Sequence, residues 1–392
     1  MEWLTRQLRQ LEAKGLRRTL RPLAAGPYVE RDGRRLLNLA SNDYLGLSTD
    51  PRLTAAAREA LERWGVGAGA ARLVVGDRPV HEALEAALAS LKETEAALVF
   101  PSGYAANVGV LSALAGPRDQ IFADALNHAS LNDGARLSRA RFRYYRHRDL
   151  EQLEQLLQGP GPAPGGRRFI VTDAIFSMDG TVAPLPELAE LAARYDAVLV
   201  VDDAHGTGIV GPEGRGTAHH LGVADRIPVQ VATLSKALGV QGGAALGSRA
   251  LVDYLLHRAR AFIYSTGISP VLAAAALEAV RLVQSNEGAR RRRRQQAHVA
   301  RLKAGLAALG YTVRHEPPAP MLAVLVGAPE AALRLSALLE TRGVLAPAIR
   351  PPTVPPGTSR IRLTPMATHT DGDIEAALAA FPEAEAIQPH VA

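Results

Sequence analysis

The sequence predicts an α/β domain with a largely parallel central sheet, followed by a smaller α+β domain. Three observations lead there. Short apolar runs alternate with helical patterns between about residues 97 and 246. Those runs are continuously apolar, as strands covered on both faces are. After a long helical pattern at 270–309, strand-like segments at 321–326 and 361–363 mix with helical ones at 330–342 and 371–381.

The elements follow in order. Segment 1–15 places Trp3, Leu4, Leu8 and Leu11 on one helical face with charges between them. That is an amphipathic helix and not a signal peptide, which needs a continuous apolar core. A strand pair is expected around 28–29 and 36–39, turned by Asp32-Gly33. Helical spacing covers 54–64 and 81–93. Strands are expected at 97–100, 121–123, 169–172, 198–201, 229–232 and 244–246, with helices at 104–114, 150–157 and 185–195 between them. The Pro/Gly-rich stretch 159–168 reads as a surface loop. The expected organisation is an N-terminal arm (1–40), a large domain (41–285) and a small C-terminal domain (286–392).

Composition sets bounds. A chain of 392 residues, 47% hydrophobic and 21% charged, can bury a large core. With no cysteine there is no disulfide framework, thiol nucleophile or thiolate metal site. The net charge of +6 suits anionic substrates and phosphorylated cofactors. The five arginines 290–294 lack interleaved aromatics and lie in a helical pattern, so they read as a solvated face and no nucleic-acid partner is expected. No metal site is expected: His219 and His220 are adjacent and would diverge on a helix. No apolar run is long enough for a membrane span, and a cytoplasmic protein is expected.

Candidate chemistry collects at the ends of the expected strands. Val229 and Val231 lead to Thr233, Ser235 and Lys236, then to Gly239, Gly242 and Gly243. A lysine among apolar neighbours loses its proton more easily than a solvated one, which makes it a Schiff-base nucleophile. Taken alone, Lys236 reads as a surface lysine. Asp202 ends another strand, where open α/β sheets bind ligands, and suits pairing with a protonated ring nitrogen. His205 follows three residues on. Asp203 reads as a turn cap. Gly206, Gly208 and Gly211 match a dinucleotide fingerprint, but Pro212 and the glycines beyond do not open a helix, so that match is rejected.

Ser102, Gly103 and Tyr104 stand where a strand enters a helix, a place for an anion or an ordinary N-cap. His128 and Ser177 each follow a strand. Arg350 precedes two prolines and Thr353, a stiffened guanidinium suited to a carboxylate. Arg17 is a second candidate for an anionic substrate.

Together NDYLGL, SGYAAN, NHASL, FSMDG, VDDAHGTG, TLSKALG, IYST and AIRPPTVPPGTSRIRLT occur in register. In these motifs the chain resembles the α-oxoamine synthases, from about Leu16 to the C-terminal helix. They are fold-type I pyridoxal-phosphate (PLP) transferases that join an amino acid to an acyl-CoA with loss of carbon dioxide. The resemblance implies PLP on Lys236, Asp202 at the ring nitrogen and His128 stacked on the ring. It places His205 and Ser177 near the phenolic oxygen. Gly103, Tyr104, Thr233 and Thr266 of the partner subunit would hold the phosphate. Asn42, Arg350 and Thr353 would meet the substrate, with Arg350 taking the amino-acid carboxylate, and Arg17 would meet the acyl substrate. It also implies a homodimer with a shared site. The AIRPPTVPPGTSR stretch is most similar to the branch that condenses L-alanine with a pimeloyl thioester; a glycine-using sister branch stays open. Three positions depart from the family pattern: Asp173 for a frequent Glu, Tyr104 for Phe, and Ala70-Ala71 for Gly-Ser.

Overall fold

The computed structural model describes residues 1–386 except 14, 15, 18, 19 and 21. Its centre is a seven-stranded sheet. The strand order is Ala96–Phe100, Gly243–Gly247, Val229–Thr233, Ala197–Asp202, Arg168–Asp173, Gln120–Asp124, Arg141–Tyr145. Neighbours from Val229–Thr233 onward pair parallel; Gly243–Gly247 alone runs the other way. All six expected strands are present. The seventh, RFRYY at 141–145, escaped because its edge position leaves it partly exposed and rich in arginine. Buried apolar side chains cover both faces of the sheet.

The helices expected at 104–114, 150–157 and 185–195 form as Gly103–Leu114, Leu150–Gln158 and Leu185–Arg194. Helices Ala129–Ser138 and Arg249–Arg258 were not anticipated; each is short and follows a turn that looked like loop. The single pattern at 270–309 is two helices, Pro270–Gln284 and Asn286–Ala308. The break is Ser285, an extended N-cap whose hydroxyl accepts from Gly288 N. Of the five arginines 290–294, Arg291 is tied to Asp50 and Glu287, and Arg292 is buried against Val283 O. Only part of the run is a solvated face.

The hairpin Tyr28–Arg31/Arg34–Asn38 turns at Asp32 and Gly33, both at positive φ (51° and 72°). Its second strand pairs parallel with Val344–Leu345 from the far end of the chain. Leu37 and Leu39 thus share a core with Leu302, Leu335 and Ile361 of the C-terminal unit. That unit holds a four-stranded antiparallel sheet, Val313–Arg314, Leu322–Gly327, Ser359–Leu363, Ala348–Ile349. In Ser359–Leu363 every residue is buried. Ile361 and Leu363 enter the C-terminal core. Arg360 and Arg362 face the 174–182 loop of the large unit instead. Arg360 Nη1 lies 2.5 Å from Asp179 Oδ1, Arg314 Nη1 lies 2.7 Å from the same oxygen, and Arg362 Nε donates to Ser177 O at 2.6 Å.

Two predictions follow from this packing. Asp179→Ala strands Arg360 without its carboxylate, and losing one partner of a buried pair costs about 3–5 kcal/mol; urea unfolding should show a loss of that size. His369 is fully buried, and burial, partly opposed by Asp373, lowers its pKa from 6.5 to about 4. The unfolded chain therefore binds its proton first as pH falls. The stabilisation is complete above pH 6.5 and disappears as pH falls toward about 4, amounting to about 3 kcal/mol. Unfolding midpoints across that range should fall less steeply in His369→Asn than in wild type.

Candidate active site

The strands place their last residues on one line. Asp124, Asp173, Asp202 and Thr233 each end a strand at the carboxyl edge, where a parallel sheet opens a crevice. Asp173 and Asp202 are paired in register. Asp202 turns its own chain by accepting from Ala204 N through Oδ1 at 2.9 Å. Its Oδ2 accepts from Asn107 Nδ2 at 2.6 Å. The same amide nitrogen donates to Ser130 Oγ at 2.9 Å. Ser130 N donates to His128 Nδ1 at 3.3 Å, so that nitrogen is an acceptor and takes the Ser130 hydroxyl hydrogen as well, Oγ lying 2.7 Å away. With Nδ1 an acceptor, His128 carries its proton on Nε2. His128 is partly exposed, and burial of its ring lowers its pKa.

Lys236 is half-buried, and its Nζ lies 3.0 Å from His205 Nε2. Burial lowers the pKa of Lys236; Asp202 and Asp173 oppose the shift and Arg362 adds to it. His205 is pushed well below its usual range, first by burial and then by Lys236, Arg362 and His128. Burial, reinforced by Asp202, drives Asp173 well above the carboxylate range. The site thus sets an imidazole whose charged form is disfavoured beside an amine made less basic by burial.

An anion cradle adjoins it. Helix Gly103–Leu114 starts at N-cap Ser102, which accepts from Ala105 N at 3.1 Å. A Cβ on Gly103 would lie 3.2 Å from Thr233 Oγ1, and one on Gly243 would collide with Gly103 N at 2.5 Å. Thr233 Oγ1 and Ser235 Oγ are 2.7 Å apart. A helix N-terminus, two hydroxyls and bare backbone suit a phosphate. The buried Asn107 Oδ1 has no partner. Cradle, amine and strand-end carboxylate together form a donor set that fits PLP.

The other expected residues are placed as follows. Asn42 Oδ1 accepts from Arg362 Nη2 at 3.0 Å and so joins the site. Ser177 joins through its carbonyl, held by Arg362. Tyr104 is half exposed, its hydroxyl on Asp133. Thr266 lies on the exposed surface in a bridge with Ala71. Arg17 and Arg350 line one cavity of about 800 Å³ together with Leu8, Leu11, Ile349 and Thr353. Arg362, Tyr44 and Asn107 are site residues that sequence reasoning missed. For Arg362 a signal existed: two arginines alternating with Ile361 and Leu363 in a strand must each find a buried partner.

The sequence model of the aminotransferase class I and II family matches residues 34–381. The chain belongs to that family. Among curated relatives, the 8-amino-7-oxononanoate synthase of Anaeromyxobacter dehalogenans (strain 2CP-1) is 50% identical over 383 residues, covering 97% of this chain and 95% of the relative. That of Anaeromyxobacter sp. (strain Fw109-5) is 52% identical over 385 residues, covering 98% and 96%. Among solved structures, a serine palmitoyltransferase from S. paucimobilis with bound PLP and myriocin is similar at a TM-score of 0.91 and 29% identity, covering 98% and 97%. An 8-amino-7-oxononanoate synthase from Francisella tularensis is similar at 0.76 and 27% identity, covering 90% and 98%. These likenesses bear out the α-oxoamine synthase resemblance and the fold-type I α/β class.

The sequence reading expects Asp203 to cap the turn that follows it; its carboxylate instead ties together distant parts of the chain. It accepts from Lys92 Nζ at 2.7 Å and from Thr217 N and Oγ1, with both ionic side chains essentially inaccessible. Lys92→Met should destabilise the fold by about 3–5 kcal/mol in thermal or urea unfolding, because Asp203 is left charged and unpaired. PLP titration of the folded fraction should give wild-type affinity.

Proposed function

We propose that this chain is a PLP-dependent acyltransferase that condenses L-alanine with a pimeloyl thioester to 8-amino-7-oxononanoate, a step of biotin biosynthesis. One observation carries the reading: Lys236 and His205 in contact at 3.0 Å on the strand edge that also bears Asp202. The half-identical relatives with that name support the choice of substrates.

When bound, PLP supplies an electron sink that stabilises negative charge on the amino-acid α-carbon. Lys236 would hold the cofactor through Nζ. Asp202, which accepts from Asn107 Nδ2, would pair with its ring nitrogen. His128, Ser177 and His205 would line the ring, and Gly103, Tyr104, Thr233 and Thr266 of the partner subunit would hold the phosphate. Arg350, with Asn42 and Thr353, receives the alanine carboxylate. Arg17, across the same cavity, meets the acyl substrate.

Lys236, once its amine is free, takes the α-proton of alanine as general base. Burial lowers the basicity of that amine, which favours the accepting form. The α-carbon then displaces the thiolate of the thioester, the carboxylate leaves as carbon dioxide, and a proton takes its place. His205, 3.0 Å from Nζ, assists that return.

A homodimer completes the cradle in this reading. Leu73, Val74 and Val75 on the turn Arg72–Gly76, with Val66 and Tyr264, form an exposed apolar surface beside Thr266. Among the described residues no helix is long and apolar enough to cross a membrane, in keeping with a cytoplasmic enzyme.

Thiol release should be measured with alanine, glycine and serine against pimeloyl-, acetyl-, succinyl- and palmitoyl-CoA. The expected result is a preference for alanine with pimeloyl-CoA; preference for another pair overturns the substrate assignment. Lys236→Ala should abolish release and the visible absorbance of lysine-bound PLP. Asp202→Asn should keep PLP but lose α-proton exchange into solvent by about a hundredfold or more.

A further inference from the structure

Tyr44 is fully buried at the head of the NDYLGL turn. Asp43 closes that turn by accepting from Leu47 N at 2.8 Å and Ser48 N at 3.1 Å. The Tyr44 hydroxyl lies between two site residues, 2.6 Å from His205 Nδ1 and 3.2 Å from Asn42 Oδ1. A phenol has one hydrogen and can serve only one acceptor at a time.

The neighbours limit its choices. A guanidinium only donates, so the Asn42 atom facing Arg362 Nη2 at 3.0 Å is the carbonyl oxygen. Asn42 therefore offers Tyr44 an acceptor. On the other side, His205 Nε2 meets Lys236 Nζ at 3.0 Å. An ammonium has three donors and no acceptor, so while Lys236 is protonated Nε2 must be bare. The proton of a neutral His205 is then on Nδ1, and Tyr44 must accept it. Its own hydrogen is left for Asn42. With Lys236 protonated, this arrangement satisfies every donor and acceptor from Lys236 to Arg362.

We propose that Tyr44 is a positioning residue. Its hydroxyl, accepting from His205 and donating to Asn42, holds His205 in the Nδ1–H tautomer, so that bare Nε2 orients the Lys236 amine. Lys236, Arg362 and His128 all face His205 and disfavour a second positive charge there. Lys236 is itself faced by Asp202, Asp173 and Arg362. Without the Tyr44 oxygen, Nδ1–H would be buried and unpaired, a cost the ring avoids by moving its proton to Nε2. That nitrogen would then point a hydrogen at the Lys236 ammonium.

The test is Tyr44→Phe, which keeps the ring and removes only the hydroxyl. Nitrogen NMR of histidine-labelled protein without cofactor reads the tautomer directly, with His205→Gln to assign the signals. Ten other histidines report whether the fold is intact. Wild type should show a protonated Nδ1 and a bare Nε2 at neutral pH. The variant should show the reverse or a mixture. Wild type already protonated on Nε2, or an unchanged tautomer in the variant, overturns the proposal. With PLP and substrates, kcat should fall about tenfold or more while KM for the amino acid stays within about twofold; a reversed tautomer with unchanged kcat refutes the positioning role. The kinetic arm rests on the proposed function, but the tautomer arm uses neither cofactor nor substrate. A wrong substrate assignment and a wrong role for Tyr44 are thus told apart.

Discussion

The amine of Lys236 sits where water cannot solvate it well, and the structure around it answers that one constraint. An ammonium removed from water must be neutralised by its neighbours or lose its proton. Here both routes are built in. Asp202 and Asp173 lie close enough to favour the charged form, while burial and Arg362 favour the neutral one. A balance of this kind is what a residue needs if it is to hold a cofactor and then carry a proton. It also explains why His205 must be neutral: a second cation beside Lys236 would have no counter-charge of its own.

The surrounding polar groups form two chains rather than a scatter of contacts. One runs from His128 through Ser130 and Asn107 to Asp202. The other runs from Lys236 through His205, Tyr44 and Asn42 to Arg362. The first begins and ends in the large unit. The second ends on a strand of the C-terminal unit, so its geometry depends on how the two units are fastened. Arg360 and Arg362 do the fastening through Asp179 and the Ser177 carbonyl.

The glycines after Lys236 have a different meaning in three dimensions from the one their sequence suggests. Read along the chain, they let backbone approach a phosphate. Gly243 does so, since any side chain there would strike Gly103 N. Gly239, at φ 69°, instead lets the NDYLGL turn close in: a Cβ would lie 2.5 Å from Ser48 N. One glycine-rich segment thus shapes the cradle and admits the turn that carries Tyr44. The shared scaffold also accounts for the comparisons. A serine palmitoyltransferase matches the fold at a TM-score of 0.91 with 29% identity, whereas the half-identical relatives are 8-amino-7-oxononanoate synthases.

By itself the sequence determined the six apolar strands, most of the helices between them and the polar residues that follow the strands, Lys236, Asp202, His128 and His205 among them. Those are local signals: apolar runs, caps and the spacing of polar residues after a strand. It also determined the family, because eight motifs in order leave little room for chance. Tertiary structure decided what no local pattern encodes. It split the 270–309 helix at Ser285, brought the N-terminal hairpin beside Val344, and turned Arg362 and Tyr44 into site residues. Arg362 lies 126 positions from Lys236 in the chain and Tyr44 lies 192 away. Only packing brings such groups together, and only burial makes their hydrogen-bond partners obligatory.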